Sequence, residues 1–328
     1  MKTKRLFNTS EYKTVGILRR ALQQDTEFFI YPELPLNKVI EAEKGDDISK
    51  KEVGTLNTAS FDFTIYNRAS FPQFAIEFDG PPHVTYEKKR QTDIRKNRLC
   101  GLAGLPLLRI GDAFLNEYEK TSLLEYVIGR FVAWSSGDDC LPRGGGDQVE
   151  RDIHAPDHSQ ETEYEDDPSI MFDLGHPFPA SIEVAKRLYR AYGIVTSETD
   201  GDDYDYAMSR PSFLMFSHYS GGSNPIGDHH RKVERGYELR TYTRQTSGKC
   251  SSEQLHTLNE TVMYQWQLPT TDHRIVFHGI PGTSMWELAE HLCDFRALCR
   301  LEKWAPLNLQ GVISKTPDPP KPIQPSSN

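Results

Sequence analysis

Ser60-Phe61-Asp62-Phe63-Thr64-Ile65-Tyr66 and Phe74-Ala75-Ile76-Glu77-Phe78-Asp79-Gly80, running into Pro81-Pro82-His83, decide how this chain folds. Both segments alternate apolar and polar residues, the period of half-buried strands. Phe61, Phe63 and Ile65 share one face of the first strand, and Asp62 points the other way. Phe74, Ile76 and Phe78 share a face of the second, opposite Glu77 and Asp79. The loop from Asn67 to Pro72 suits a hairpin. Pairing the strands gathers three carboxylates on one patch, which repels itself unless cations are present. A hard divalent ion on carboxylate oxygens resolves that repulsion.

Upstream, a helix is predicted over Thr9 to Leu22, capped by Asn8, with Glu11 in a capping-box position. Val15, Leu18 and Leu22 form its apolar stripe, and Glu11 lies on the same stripe. An extended stretch follows, Phe28 to Leu34, then a polar loop from Glu41 to Asn57. Downstream, a helix over Tyr86 to Ala103 ends at Gly104 and leads into Leu105-Pro106-Leu107-Leu108-Arg109-Ile110. Strand, helix, strand implies a right-handed crossover and a parallel third strand. A last helix is expected over Glu117 to Phe131. The fold class is α/β, a mixed sheet flanked by helices.

The crossover helix carries six cations within eleven residues: Lys88, Lys89, Arg90, Arg95, Lys96 and Arg98. Phosphodiester hydrolysis needs an activated water and charge stabilised on the leaving oxygen, and one or two Mg²⁺ ions supply both. Asp62, Glu77 and Asp79 are the candidate ligands. A lysine beside a metal and a scissile phosphate positions or helps deprotonate the attacking water, and Lys96 is the candidate. Lys88, Lys89, Arg90, Arg95 and Arg98 are then free to neutralise DNA phosphates. His83 has an unperturbed pKa suited to acid/base work, or is a loop histidine making a structural hydrogen bond. Asp93 shares a helix face with Lys96, three residues on, and can pair with it or with Lys89. Arg109, at the end of a buried strand, either braces the site or touches phosphate.

Residues 6–133 resemble a bacterial branch of the PD-(D/E)XK nuclease superfamily, related to the very-short-patch repair endonucleases. The matching pieces are Glu11, Phe61-Asp62-Phe63, Ile76-Glu77-Phe78-Asp79-Gly80 with His83, Asp93-Ile94-Arg95-Lys96, and Ala103-Gly104-Leu105-Pro106-Leu107-Leu108-Arg109-Ile110. The resemblance implies a restriction-endonuclease-like fold and metal-dependent DNA cleavage, with Mg²⁺ or Mn²⁺ on Asp62 and Glu77. It makes Glu11 an auxiliary acid near the metal. It departs from the better-known pattern at Asp79, where a lysine is expected, and the related branches imply that a basic residue of the next helix, Lys96, takes that role. The departure also admits a catalytically inactive copy that binds DNA or scaffolds partners. The family suggests restriction, antiphage defence or repair in a bacterium or phage.

The net charge of −9 over 328 residues looks wrong for a DNA binder, but the acidity is local. Residues 1–135 hold 20 Lys+Arg against 18 Asp+Glu, while residues 136–168 hold 2 against 11. The latter, with Gly144-Gly145-Gly146 and few aliphatics, reads as a flexible linker. The nuclease-like domain is therefore placed at 1–135 and a smaller α+β domain at 169–314. Residues 315–328, with five prolines, read as a disordered tail. In the second domain a helix is expected over Pro179 to Tyr192. Strands are expected at Phe213–Ser217, Tyr237–Thr243, Thr261–Gln267 and Arg274–Gly279. A capping box at Ser284 opens a final helix through Trp304, with Leu288, Leu292, Phe295 and Cys299 as its stripe. Asp228-His229-His230 reads as a polar loop in preference to a metal site.

Five scattered cysteines without a CxxC pair argue against zinc or a disulfide scaffold and for a reducing cytoplasm. No run approaches the ~18 apolar residues of a membrane helix, so no membrane partner is expected. DNA is the expected partner, with a protein partner at residues 169–314 and a homodimer as further expectations. An RNA substrate is disfavoured, because no aromatic stacking platform is legible beside the basic helix.

Overall fold

The computed structural model describes residues 9–22, 28–43, 45–79, 87–135, 174, 177–219, 230–265, 277–278 and 285–309. It is a mixed α/β structure that divides into two compact units. The first comprises Met1–Asn116, Ser122–Leu174 and Asp272–Ser284, and the second Glu117–Thr121, Gly175–Thr271 and Met285–Asn328. The expected division was 1–135 and 169–314. The expected linker, 136–168, and tail, 315–328, lie outside the described residues, as does Asn8.

In the first unit β1 (Phe28–Pro35), β2 (Ser60–Asn67), β3 (Pro72–Phe78), β4 (Leu107–Ile110) and β11 (Phe277–His278) form a five-stranded sheet in that order. The two-residue strands β5 (Glu117–Tyr118) and β6 (Thr121–Ser122) follow β4 in the chain. The hairpin forms as read: β2 and β3 pair antiparallel, Phe63 opposite Ile76. Asn67 Oδ1 accepts from the Phe71 N–H at 2.9 Å across its turn. Helix α3 (Glu87–Leu102) makes the crossover, and β4 runs parallel to β3 as expected. Of the expected strand Arg274–Gly279, Phe277–His278 lie among the described residues and pair antiparallel with β4. Its pattern announced a strand but not which sheet edge it would join.

Helices cover both faces of this sheet. Phe74 meets Phe131 of α4 (Leu123–Ser135) edge-on at 4.9 Å, and α1 (Thr9–Leu22) is tied to α4 by Arg20 and Glu125 at 3.2 Å. On the other face Ala75 and Leu107 pack with Leu99 and Cys100 of α3 and with Leu36 and Leu56. Leu56 belongs to α2 (Lys50–Thr58), which occupies much of the expected Glu41–Asn57 loop. Its signal is present in the sequence: Ser49 and Glu52 form a reciprocal capping box. The expected helix from Glu117 starts later, at Leu123, because Glu119 and Lys120 sit at φ 48° and 75°, which no helix continues through.

The second unit is a four-stranded sheet in the order β10-β9-β8-β7 with helices packed on it. Helix α5 (Pro179–Tyr192) forms over the expected residues and ends at Gly193, whose φ of 63° is the left-handed stop that glycine adopts freely. The strands are β7 (Ile194–Val195), β8 (Ser212–Tyr219), β9 (His230–Arg244) and β10 (Cys250–Gln265), with α6 (Gly201–Ser209) between β7 and β8. The two short segments expected at Tyr237–Thr243 and Thr261–Gln267 are thus arms of one long hairpin. Helix α7 (Met285–Asn308) buries Leu288, Leu292 and Phe295 as read, and also Cys293, Leu298 and Leu301. His230 opens β9, whereas Asp228 and His229 lie outside the described residues. No helix among the described residues is long and apolar enough to cross a membrane.

Candidate functional site

The β2–β3 register sets Asp62 and Glu77 one step beyond the Phe63–Ile76 pair, both toward α3. Asp62 is half-buried, and its Oδ2 accepts from the backbone N–H of Phe78 at 2.7 Å. Glu77 is only 3% exposed. Its Oε1 accepts from Lys96 Nζ at 2.7 Å, and the same ammonium donates to the Ser60 carbonyl at 2.7 Å. Lys96, from the middle of α3, is thereby seated between β2 and β3. Burial pushes the Glu77 carboxyl up to about 7, against the pull of Lys96 and Arg109, and the Asp62 charge adds to the rise. Asp62 Oδ1 and Glu77 Oε2 receive no hydrogen bond from the described residues. These two oxygens are the ones a cation could take.

Asp79 has a different fate. Arg109 on β4 pairs in register with Glu77 on β3, but its guanidinium turns to Asp79 at 2.7 Å. It also holds Asp93 at 3.2 Å and the Asn97 side chain at 2.9 Å. All three charged residues are at least nine-tenths buried. Burial opposes the Arg109 charge, but the carboxylates of Asp79, Glu77 and Asp93 outweigh it and raise its pKa. Of the two readings open for Arg109, the structure takes the brace. Asp93 pairs with Arg109, not with Lys96, and Asp79 is held by the same guanidinium. Among the described residues no three His, Cys, Asp or Glu side chains are gathered as a metal-binding group.

The other predicted residues divide. Glu11 is half-buried in the first turn of α1, and no described contact joins it to Asp62, Glu77 or Lys96. His83 lies outside the described residues, and of Lys88 and Arg90 only the backbone is described. Lys89 is exposed. Arg95 reaches back to the Thr55 hydroxyl at 3.4 Å. Arg98 is bound by Glu52 at 2.5 Å and Asp47 at 3.2 Å, which pins α2 to α3. Sequence reasoning missed Asn97 and the Ser60 carbonyl. Neither has a charge signature, and only the strand register and helix phase reveal them.

Against known proteins, residues 3–127 match the family model described as "Protein of unknown function (DUF2726)". No curated protein and no solved structure matches the chain.

Proposed function

We propose that the first unit is a divalent-metal-dependent deoxyribonuclease with a restriction-endonuclease-like, PD-(D/E)XK type of site. The observation that carries this reading is a buried glutamate, Glu77, held between the Asp62 carboxylate and the Lys96 ammonium. Two hard oxygen donors with free lone pairs suit Mg²⁺ or Mn²⁺, which bind through one or two carboxylates and keep several waters. Asp62 and Glu77 would hold the ion, and when bound it supplies charge neutralisation and an activated water. Lys96 uses two of its three N–H donors on Glu77 and Ser60; the third positions the attacking water or a phosphoryl oxygen. Arg109, with Asp79 and Asp93, fixes β3, β4 and α3 so that these atoms stay in place. The second unit would direct target choice or bind a protein partner, in restriction, antiphage defence or repair.

A second reading, a non-catalytic DNA-binding or scaffold protein, draws on the commitment of Asp79 to Arg109, which leaves two carboxylates for a metal. Incubating supercoiled and linear DNA with the full chain in Mg²⁺ or Mn²⁺ separates the two. The nuclease reading expects nicking or cleavage that a chelator abolishes. Metal-insensitive binding without cleavage in any divalent ion favours the scaffold.

A further inference from the structure

Strand β1 is an edge strand whose residues alternate between half-buried and exposed. Phe29 and Tyr31 on its outward side are 47% and 46% exposed, which is unusual for rings in a sheet. The register fixes what they stand beside. Phe29 is opposite Tyr66 and Tyr31 opposite Thr64 on β2, and Tyr31 and Tyr66 meet edge-on at 5.3 Å. Thr64 and Tyr66 follow Asp62 at steps of two, so all three point to one face of the sheet. The rings therefore line the same face as the candidate carboxylate. Tyr31, level with the fully buried Thr64, lies about 7 Å and Tyr66 about 13 Å from Asp62 along the strand, a span of two to four stacked nucleotides at ~3.4 Å each.

We propose that Phe29, Tyr31 and Tyr66 form a stacking platform for the unpaired bases of a DNA strand whose backbone continues to Asp62 and Glu77. This rests on the nuclease reading and names the substrate form it favours: single-stranded DNA or a frayed duplex end. Base faces stack on exposed aromatic rings irrespective of sequence. Exposed basic residues of the same unit, Arg68 in the β2–β3 turn and Lys89 on α3, supply positive charge for the phosphates of such a strand. A second copy adding a strand to this edge is disfavoured by the edge itself. Pro32 and Pro35 lack N–H donors and Glu33 sits at φ 51°, so β1 cannot offer a regular ladder.

The test uses the full chain carrying Asp62→Asn, which disables cleavage while an amide at this position still accepts from Phe78. The probes are a 12-nucleotide deoxyribo-oligonucleotide containing 2-aminopurine and the same sequence as a duplex. Binding is expected to quench the 2-aminopurine in the single strand. Phe29→Ala with Tyr31→Ala should abolish the quench and weaken single-strand binding at least tenfold, about the effect of losing one base–ring stack, with duplex binding changed less than twofold. Phe29→Tyr with Tyr31→Phe should restore both signals. An unchanged quench and affinity in the double alanine chain would overturn the platform. So would failure to bind any oligonucleotide, or a change of oligomeric state in sedimentation, which would assign the face to a second copy. Absence of cleavage by the wild-type chain, with the quench intact, defeats the nuclease reading and leaves the platform standing.

Discussion

At Glu77 a carboxyl that burial pushes up to about 7 sits 2.7 Å from an ammonium. A cation binds the carboxylate form, so protons compete with it below that pH. Mn²⁺ affinity measured by calorimetry is expected to rise as pH climbs from 6 to 8, with about a tenfold loss per unit on the acid side. Affinity flat across that range contradicts the assignment. Lys96→Ala should reduce cleavage by roughly 100-fold or more with DNA binding little changed, as loss of a group acting on the reacting atoms does. Arg109→Leu leaves Asp79 and Asp93 buried without their cation. It should cost about 3–5 kcal/mol in denaturant unfolding, the penalty of breaking a buried pair from one side. Strand alternation placed Asp62 and Glu77 on one face, and the register sets them side by side. Lys96 was singled out by the family resemblance, and it bonds Glu77. The fate of Asp79 was not legible in the sequence, because alternation gives a side chain's face but not which of several nearby cations it meets.

At the scale of elements, α2 owes its start to Ser49 and its attachment to Glu52. The Arg98 guanidinium, with further help from Ser49, holds the Glu52 carboxyl down at about 2. A carboxyl lowered on folding stabilises above its ordinary value of 4.5, and that stabilisation fades as pH falls through about 2. Glu52→Gln should therefore lower the melting temperature at pH 7 and lose its effect toward pH 2. An equal shift at both pH values contradicts the pairing. Ser49→Ala should cost about 1 kcal/mol through the lost cap. The capping box was readable here; the surrounding polar residues hid it. The long β9–β10 hairpin was legible only in fragments, since Glu234, Arg235, Glu238 and Arg240 break its apolar pattern. Those charges are satisfied by neighbours, among them Arg235 with Asp294 at 3.0 Å and Arg240 with Glu238 at 2.5 Å. On this hairpin Gly236 lies beneath the Tyr219 ring, whose hydroxyl donates to Asn259 on the next strand. A Cβ at Gly236 would clash with that ring. Gly236→Ala is expected to destabilise by about 1–3 kcal/mol, and Tyr219→Ala in the same chain to relieve most of it.

For the molecule as a whole, the two compact units each draw on more than one segment of the chain. The acidic segment marked a break in composition, but β11 returns from far downstream to cover β4. Two residues carry too little pattern to announce such a partner. A chain ending at residue 174 leaves that edge of β4 unpaired, so it should melt lower than the full chain and self-associate in sedimentation. A monomer as stable as the full chain would contradict the pairing. Contaminating nucleases can mimic the chemistry proposed for the first unit. Plasmid cleavage in Mg²⁺ by the wild-type chain beside Glu77→Ala, purified identically, separates the two. Cleavage by the wild type and its loss in Glu77→Ala is the expected result, and equal cleavage by the two proteins would contradict the metal-dependent nuclease.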